Sequence, residues 1–250
     1  MSRETKPKSN LDKRFDLIRD REVFGYNPKE SGNRAFKKLK SNRLAVIGLI
    51  FVLAIIFTSI FAPLFTKYNP QKVDLRNMLK PPSAEHILGT DKIGRDVFAR
   101  IIYGGRISIL VGLGSALGAA LIGVSIGAYT GYRGGWWDSI FLRISEIVMS
   151  FPQIILVLLL VTILGQSLMN LIIIFTLTGW GSLYRMTRAQ MLSLREEEYV
   201  QALRAFGLSR ARICFKHILP NALGPIMVNI TLSTAMFILQ EAGLSFLGLG

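Results

Sequence analysis

The chain has 250 residues, half of them hydrophobic, only 18% charged, with a mean hydropathy of +0.40. That charged fraction is below the roughly 25% of a soluble domain, and 30 Lys+Arg against 16 Asp+Glu give a net charge of +14. In a chain this apolar, the excess points to basic cytoplasmic loops of a membrane protein rather than to nucleic-acid binding. One cysteine argues against a disulfide framework or a multi-cysteine metal centre, and two histidines 131 positions apart argue against a histidine-based zinc site.

Residues 1–43 form a polar tail with 13 Lys+Arg, including Lys37, Lys38, Lys40 and Arg43 just before the first apolar run. The basic excess puts this tail in the cytoplasm. Leu11, Phe15 and Ile18 share one helical face, so a short interfacial helix competes here with a disordered basic tail. The tail is too polar, and the run after it too long, for a cleaved signal peptide.

A bilayer-spanning helix needs about 20 mostly apolar residues. Five runs qualify, at about 44–65, 107–131, 147–165, 168–183 and 222–240. A soluble helical core rarely contains uncharged runs this long. The fold class expected is all-α, a polytopic membrane helical bundle. Five crossings place residues 66–106 outside and 184–221 in the cytoplasm. The cytoplasmic loop has the expected basic residues, but the outer loop also carries seven Lys+Arg up to Arg100.

The outer loop contains Lys80-Pro81-Pro82-Ser83, which cannot be helical throughout. Thr90 is expected to cap a helix with Asp91 at its positive end. Ile93, Val97 and Ile101 recur every four residues, suggesting an amphipathic surface helix before the second span. His86 is expected to be a solvated loop histidine.

The second span carries Gly114, Gly118, Gly123, Gly127 and Gly131. Glycines one turn apart let helix backbones approach closely, so this face is expected to pack against another helix. Arg143 and Glu146 are spaced to pair, and Pro152 is expected to kink the third span. No charged residue is expected deep in any span, which argues against a proton-coupled transporter. No serine–histidine or paired-aspartate constellation supports an intramembrane protease.

The loop 184–221 carries the most functional information. Tyr199, Ala202, Leu203 and Phe206 fall at i, i+3, i+4 and i+7, one apolar helical face. Glu196, Glu197 and Glu198 suit the first turn, and Gly207 suits a C-terminal stop. Ser209 is expected to cap a second short helix that Pro220 ends, with Arg210, Arg212 and Lys216 facing away from Ile213 and Leu219. Such a helix–glycine–helix unit either lies on the membrane or docks in a partner's groove.

This loop resembles the EAA loop of ABC-importer permeases: Gln201, Ala202 and Leu203, then Gly207 after three intervening residues, then Leu219 and Pro220 after eleven more. Gln201 replaces the pattern's Glu, Leu203 its second Ala, and His217 stands where Ile is usual. These departures are similar to the oligopeptide and dipeptide branch. So are Asn42–Gly48, His86–Asp91 with Gly94-Arg95-Asp96, Tyr103–Ser108 and Leu244–Gly250. The order of motifs matches the C-type subunit.

The resemblance implies a type I ABC-importer permease fold with six spans, and a further outer loop and last helix beyond Gly250. It implies membership of a multi-pass complex in a bacterial or archaeal cell membrane. Its partners would be a second homologous permease, two cytoplasmic ATPase subunits and an extracytoplasmic solute-binding protein, besides membrane lipid. The coupling residues would be Tyr199, Gln201, Ala202, Leu203, Phe206, Gly207, Leu219 and Pro220. The chain has no Gly-x4-Gly-Lys-Ser/Thr, so no P-loop cofactor site is expected on it. ATP and Mg would sit on the ATPases, and no catalysis or metal binding is expected here. The expected cargo is an oligopeptide or dipeptide, with nickel or another small solute as the alternative. An ATP-independent transporter or membrane scaffold is a more distant one.

Overall fold

The computed structural model describes residues 40–249, so the interfacial helix suggested for residues 11–18 and the final Gly250 lie outside the described residues. Its helices are α1 (Arg43–Ile60), α2 (Ala62–Phe65), α3 (Val97–Arg133), α4 (Trp136–Ser150), α5 (Gln153–Leu164), α6 (Leu168–Leu194), α7 (Glu198–Ala205), α8 (Arg210–Arg212) and α9 (Leu219–Phe246). A π-helical stretch, Ile213–Ile218, joins α8 to α9. The described chain is helical, with one isolated bridge between Thr90 and Asp96. It divides into two compact units, one ending at Ala54 and the other beginning at Ile55.

Among the described residues three helical runs are long and apolar enough to cross a membrane: Arg43–Ile60, Val97–Arg133 and Arg210–Phe246. A fourth is added if α4 and α5 are one broken span. Three or four such helices thus stand against the five expected spans, and the fourth expected span, now α6, is not among them. The first is interrupted at Phe61 before α2. The third is not a kinked helix but two helices bent by 87° at Phe151-Pro152. The fourth runs on to Leu194, eleven residues past its expected end, and its second half carries Arg185 and Arg188.

Helix α3 organises the second unit. Its Asp96 side chain accepts the Ala99 N–H at 2.7 Å, capping the first turn. Thr90, the expected cap, instead accepts the Lys80 N–H at 2.9 Å and donates to the Asn77 carbonyl. The expected surface helix is absent, because Ile93 lies in a turn and Val97 and Ile101 belong to the 37-residue α3. Along one face of α3, Ser115, Ala116, Ala119, Gly123 and Gly127 are buried. A Cβ at Gly123 would sit 2.6 Å from the Trp180 carbonyl oxygen, and one at Gly127 2.7 Å from that of Tyr184. At Gly131 it would meet Arg188 backbone at 3.0 Å. Gly118 faces Thr176 and Gly114 faces Ile172. Both residue series rise together, so α3 and α6 run parallel. Helix α9 closes the core from another side, with Ile238 against Gly112 and Phe237 stacked on Phe175 at 5.4 Å.

The outer loop is a folded module rather than a slack linker. Asp91 accepts the N–H groups of Ile93 and Arg95 at 3.0 and 2.9 Å, and pairs with the guanidinium groups of Arg95 and Arg100. Partial burial would raise its pKa, but the hydrogen bonds and charge of Arg95, with the Ile93 N–H, hold the carboxyl well below the usual range. Gly94 has φ +76°, and a side chain there would collide with the Asp74 backbone. His86 is not solvated: it is 5% exposed, with Nδ1 2.9 Å from an Asp96 carboxylate oxygen and its ring 4.8 Å from that of Tyr68.

Candidate functional site

The segment 195–220 begins where α6 ends. Helix α7 is short and its first-turn acid is Glu198. It stops in a Schellman arrangement: Gly207 N–H donates to the Arg204 carbonyl at 2.9 Å and Leu208 N–H to that of Leu203 at 3.3 Å. Gly207 supplies the required left-handed φ of +74°, and the space where a Cβ would stand is open, with nothing within 4 Å.

The expected coupling residues do not all share one environment. Val200 and Leu203 are buried and fasten α7 to the body of the protein. Tyr199, Ala202 and Phe206 are half-buried, and Gln201 is exposed, donating its side-chain N–H to the Glu196 carbonyl at 3.0 Å. Leu203 thus turns inward from the face assigned to it, while Val200, not singled out from the sequence, anchors beside it. The i, i+3 spacing of these two is the signal that could have found the pair. The Tyr199 hydroxyl accepts from Asn221 at 3.3 Å. Its burial raises its pKa, an effect that Glu197 reinforces and the Asn221 hydrogen bond opposes.

Two further attachments hold the segment. Arg204 lies over the Tyr132 ring at 5.4 Å, at the end of α3. Cys214 donates to the Ala128 carbonyl at 3.3 Å, one turn earlier on the same helix. Between α3's end and this segment lies a cavity of about 510 Å³ lined by Tyr132, Arg133, Arg195, Glu196, Arg204 and Arg210, among others. Arg210, Arg212 and Lys216 are exposed while Ile213 is buried, the division the spacing suggested.

The second helix of the unit differs from its expected form. Ser209 makes no side-chain cap, and Pro220 does not end the helix. Helical structure runs from Arg210 to Phe246 through the π stretch. Proline lacks an N–H and crowds the carbonyl of residue i−4. The wider π turn just before Leu219-Pro220, in which the Leu219 N–H reaches the Cys214 carbonyl, relaxes that spacing and lets the helical run pass through the proline.

Sequence reasoning passed over two buried charges. Asp138 on α4 takes both Arg188 Nε and Nη2, at 2.6 and 2.7 Å, locking α4 to α6. Glu241, which in the sequence reads as the end of the last span, is 6% exposed within α9, accepting from Ser108 at 2.7 Å and Ser245 at 2.9 Å. The Arg143–Glu146 pair forms at 2.9 Å on the surface. Among the described residues no group of three or more His, Cys, Asp or Glu could hold a metal.

Comparison with known proteins adds the family. Residues 123–250 match the model of the binding-protein-dependent transport system inner membrane component. Residues 32–82 match the N-terminal TM domain of oligopeptide transport permease C. The chain is 45% identical to a dipeptide transport system permease protein DppC of Alkalihalophilus pseudofirmus, covering 86% of this chain and 71% of that protein. It is 44% identical to the oligopeptide transport system permease protein OppC of Bacillus subtilis over the same shares. Identity to the DppC of Haemophilus influenzae is 38%, over 84% of this chain and 74% of that one.

Proposed function

Because this chain belongs to the binding-protein-dependent transport system inner membrane component family, as a multi-pass permease of the oligopeptide and dipeptide branch, we propose that it forms half of the transmembrane path of an ATP-driven peptide importer. A second, homologous permease supplies the other half. Two ATPase subunits bind ATP and Mg and hydrolyse the nucleotide in the cytoplasm, while a solute-binding protein delivers peptide from outside. This chain does no chemistry. The basic tail and residues 184–221 face the cytoplasm, and residues 66–100 face outward.

Residues 196–220 receive the motion of the ATPase. The observation that carries this reading is mechanical. The segment is pinned to the end of α3 by Cys214 and Arg204, and from Arg210 on it continues without a helical break into α9. A push on α7 therefore reaches α3 through Arg204 and reaches α9 through the π stretch that α7 packs against. Exposed Gln201 and half-buried Tyr199, Ala202 and Phe206 offer the contact surface, while buried Val200 and Leu203 stop it from hinging loosely.

Ala202→Arg places a long cation in that contact, and Gly207→Val forces a β-branched residue into left-handed φ. Both are expected to abolish ATP-driven peptide uptake while the spans still insert, and Ala202→Arg to weaken ATPase co-purification. If both variants hold their ATPases and transport at wild-type rates, the segment is a passive surface loop. Uptake of nickel but no peptide by the wild-type complex selects the alternative cargo.

A further inference from the structure

Glu241 stands apart from the other acidic groups in the interior. Asp138 has Arg188, and Asp96 has His86. Glu241 has two serine hydroxyls and, among the described residues, no cation within ion-pair distance. It lies 22 residues past Leu219 in an otherwise uncharged helix. Charged groups at membrane depth are costly and, where retained, face a cavity or mark a solute path. Each Glu241 oxygen takes one hydroxyl, whereas a carboxylate offers about four acceptor positions. Half of its capacity is therefore left for a donor from elsewhere.

The cavity it faces is well placed for such a donor. It measures about 950 Å³, within the usual range for small-ligand sites. Its walls come from the outer loop, the first turns of α3 and α6, and the last turns of α9. It therefore opens at the end of the bundle opposite the segment 195–220. Arg95, Arg100 and Arg106 also line it. Arg95 and Arg100 share the single carboxylate of Asp91, and Arg106 is held by the Ser59 and Ile60 carbonyls at 2.5 and 2.6 Å. Three guanidinium groups against one carboxylate leave that part of the wall positive, while Glu241 makes a separate negative point. A free peptide is a zwitterion, with charges that match this polarity.

We propose that Glu241 is the subsite for the peptide's α-ammonium group in this outer vestibule. The inference rests on the peptide-permease reading above. The ammonium donates to the free lone pairs of Glu241, Ser108 and Ser245 hold the carboxylate in place, and the arginine-bearing wall draws the peptide carboxylate to the other side.

The test uses the complete complex, both permeases with both ATPases, in lipid nanodiscs without the binding protein. Equilibrium binding of trialanine is compared with that of N-acetyltrialanine, which has lost the ammonium. The wild type is expected to prefer the free form by about tenfold, the scale of one charge-assisted contact. Glu241→Gln, nearly isosteric, is expected to bring the two affinities together by weakening only the free form. If Glu241→Gln does not assemble, Glu241→Asp is the comparison, since it keeps the charge but shortens its reach, and the preference should shrink. A wild type that binds neither peptide or shows no preference, or a variant that keeps the full preference, overturns the proposal. So does loss of the second permease from the Glu241→Gln complex with the preference unchanged, because the counter-cation is then a side chain of that subunit. ATP-driven trialanine uptake by wild-type vesicles, with the binding protein supplied, separates the two levels. Uptake without amine preference removes this subsite alone, and no uptake removes the peptide-permease reading beneath it.

Discussion

Replacing glycines of α3 one at a time by alanine should give stability changes of opposite sign along a single helix. At Gly123 the new Cβ lies 2.6 Å from the Trp180 carbonyl oxygen and 2.8 Å from the Tyr184 nitrogen, where ordinary contact begins at 3.4 Å. The shortfall is about 0.8 Å, against backbone atoms, so no rotamer change relieves it and α3 must move away from α6. Overpacking of this kind costs about 1–3 kcal/mol. The same change returns about 1 kcal/mol of helix propensity. Gly123→Ala and Gly127→Ala should therefore be neutral to clearly destabilising. Gly131→Ala, with its nearest atom at 3.0 Å, should be milder. At Gly114 the nearest atom is Ile172 Cδ1 at 3.5 Å, so only the propensity gain remains and the variant should be at least as stable as wild type. The assay is the thermal inactivation of the detergent-solubilised protein, read as an order of half-lives because unfolding of such proteins is rarely reversible. Gly127→Leu should fail to assemble. Equal stability across the series, or Gly123→Ala outlasting Gly114→Ala, refutes the claim that backbone contact with α6 sets the limit.

Asp91→Asn should destabilise the outer loop in a pH-dependent way. The folded pKa is depressed, so the aspartate's contribution is complete above its unfolded value near 4 and is lost as pH falls through the folded one; the wild-type advantage in protease resistance should hold from about pH 8 to 5 and narrow below about pH 4. An advantage that vanishes at pH 6 contradicts this. Asp138→Asn should cost about 1.5–3 kcal/mol, as for hydrogen bonds to a charged group, and Arg188→Lys should not preserve wild-type thermal stability because the contact is two-pronged. For topology, Ala84→Cys and Ser209→Cys in a Cys214→Ser background should react with an impermeant reagent from outside and inside respectively; Ala84 is exposed and, unlike Ser83, carries no side-chain hydrogen bond to His86. Labelling of Ser209→Cys but not Ala84→Cys from outside reverses the orientation.

The glycine face of α3 is legible because small residues at four-residue intervals encode close approach directly. Its partner, α6, is not, since Trp180, Tyr184 and Arg188 have no local mark of their role. Local stop signals fail at Pro220, where the π turn accommodates what an α-turn would not. The charge at Glu241 looks like a helix end in the sequence because its stabilising contact, Ser108, is 133 residues away. Thr90 and Asp96 are both good caps, and only the fold of the intervening loop selects Asp96. In α7 the helical spacing locates the helix, but which residues turn inward depends on the π stretch Ile213–Ile218 that packs against it.

The right-angled elbow between α4 and α5 also decides where hydrocarbon can go. Pro152 has no N–H to offer the Val148 carbonyl, although Ser150 donates to that of Ile147 at 2.7 Å. Bare peptide groups are not tolerated against acyl chains, so the inside of the bend must look toward protein or water. Val148, Met149, Phe151 and Gln153 do line a recess of about 220 Å³ with Thr178 and Ser182 of α6. Beyond the bend, Ile154, Ile155, Leu159 and Ile163 are exposed and suited to lipid. Helix α5, 12 residues and about 18 Å long, is too short to seal a bilayer core of about 30 Å by itself. A full crossing on this side therefore takes both limbs of the elbow, so a change of angle at Phe151-Pro152 alters its reach more than an equal shift of a straight full-length helix would.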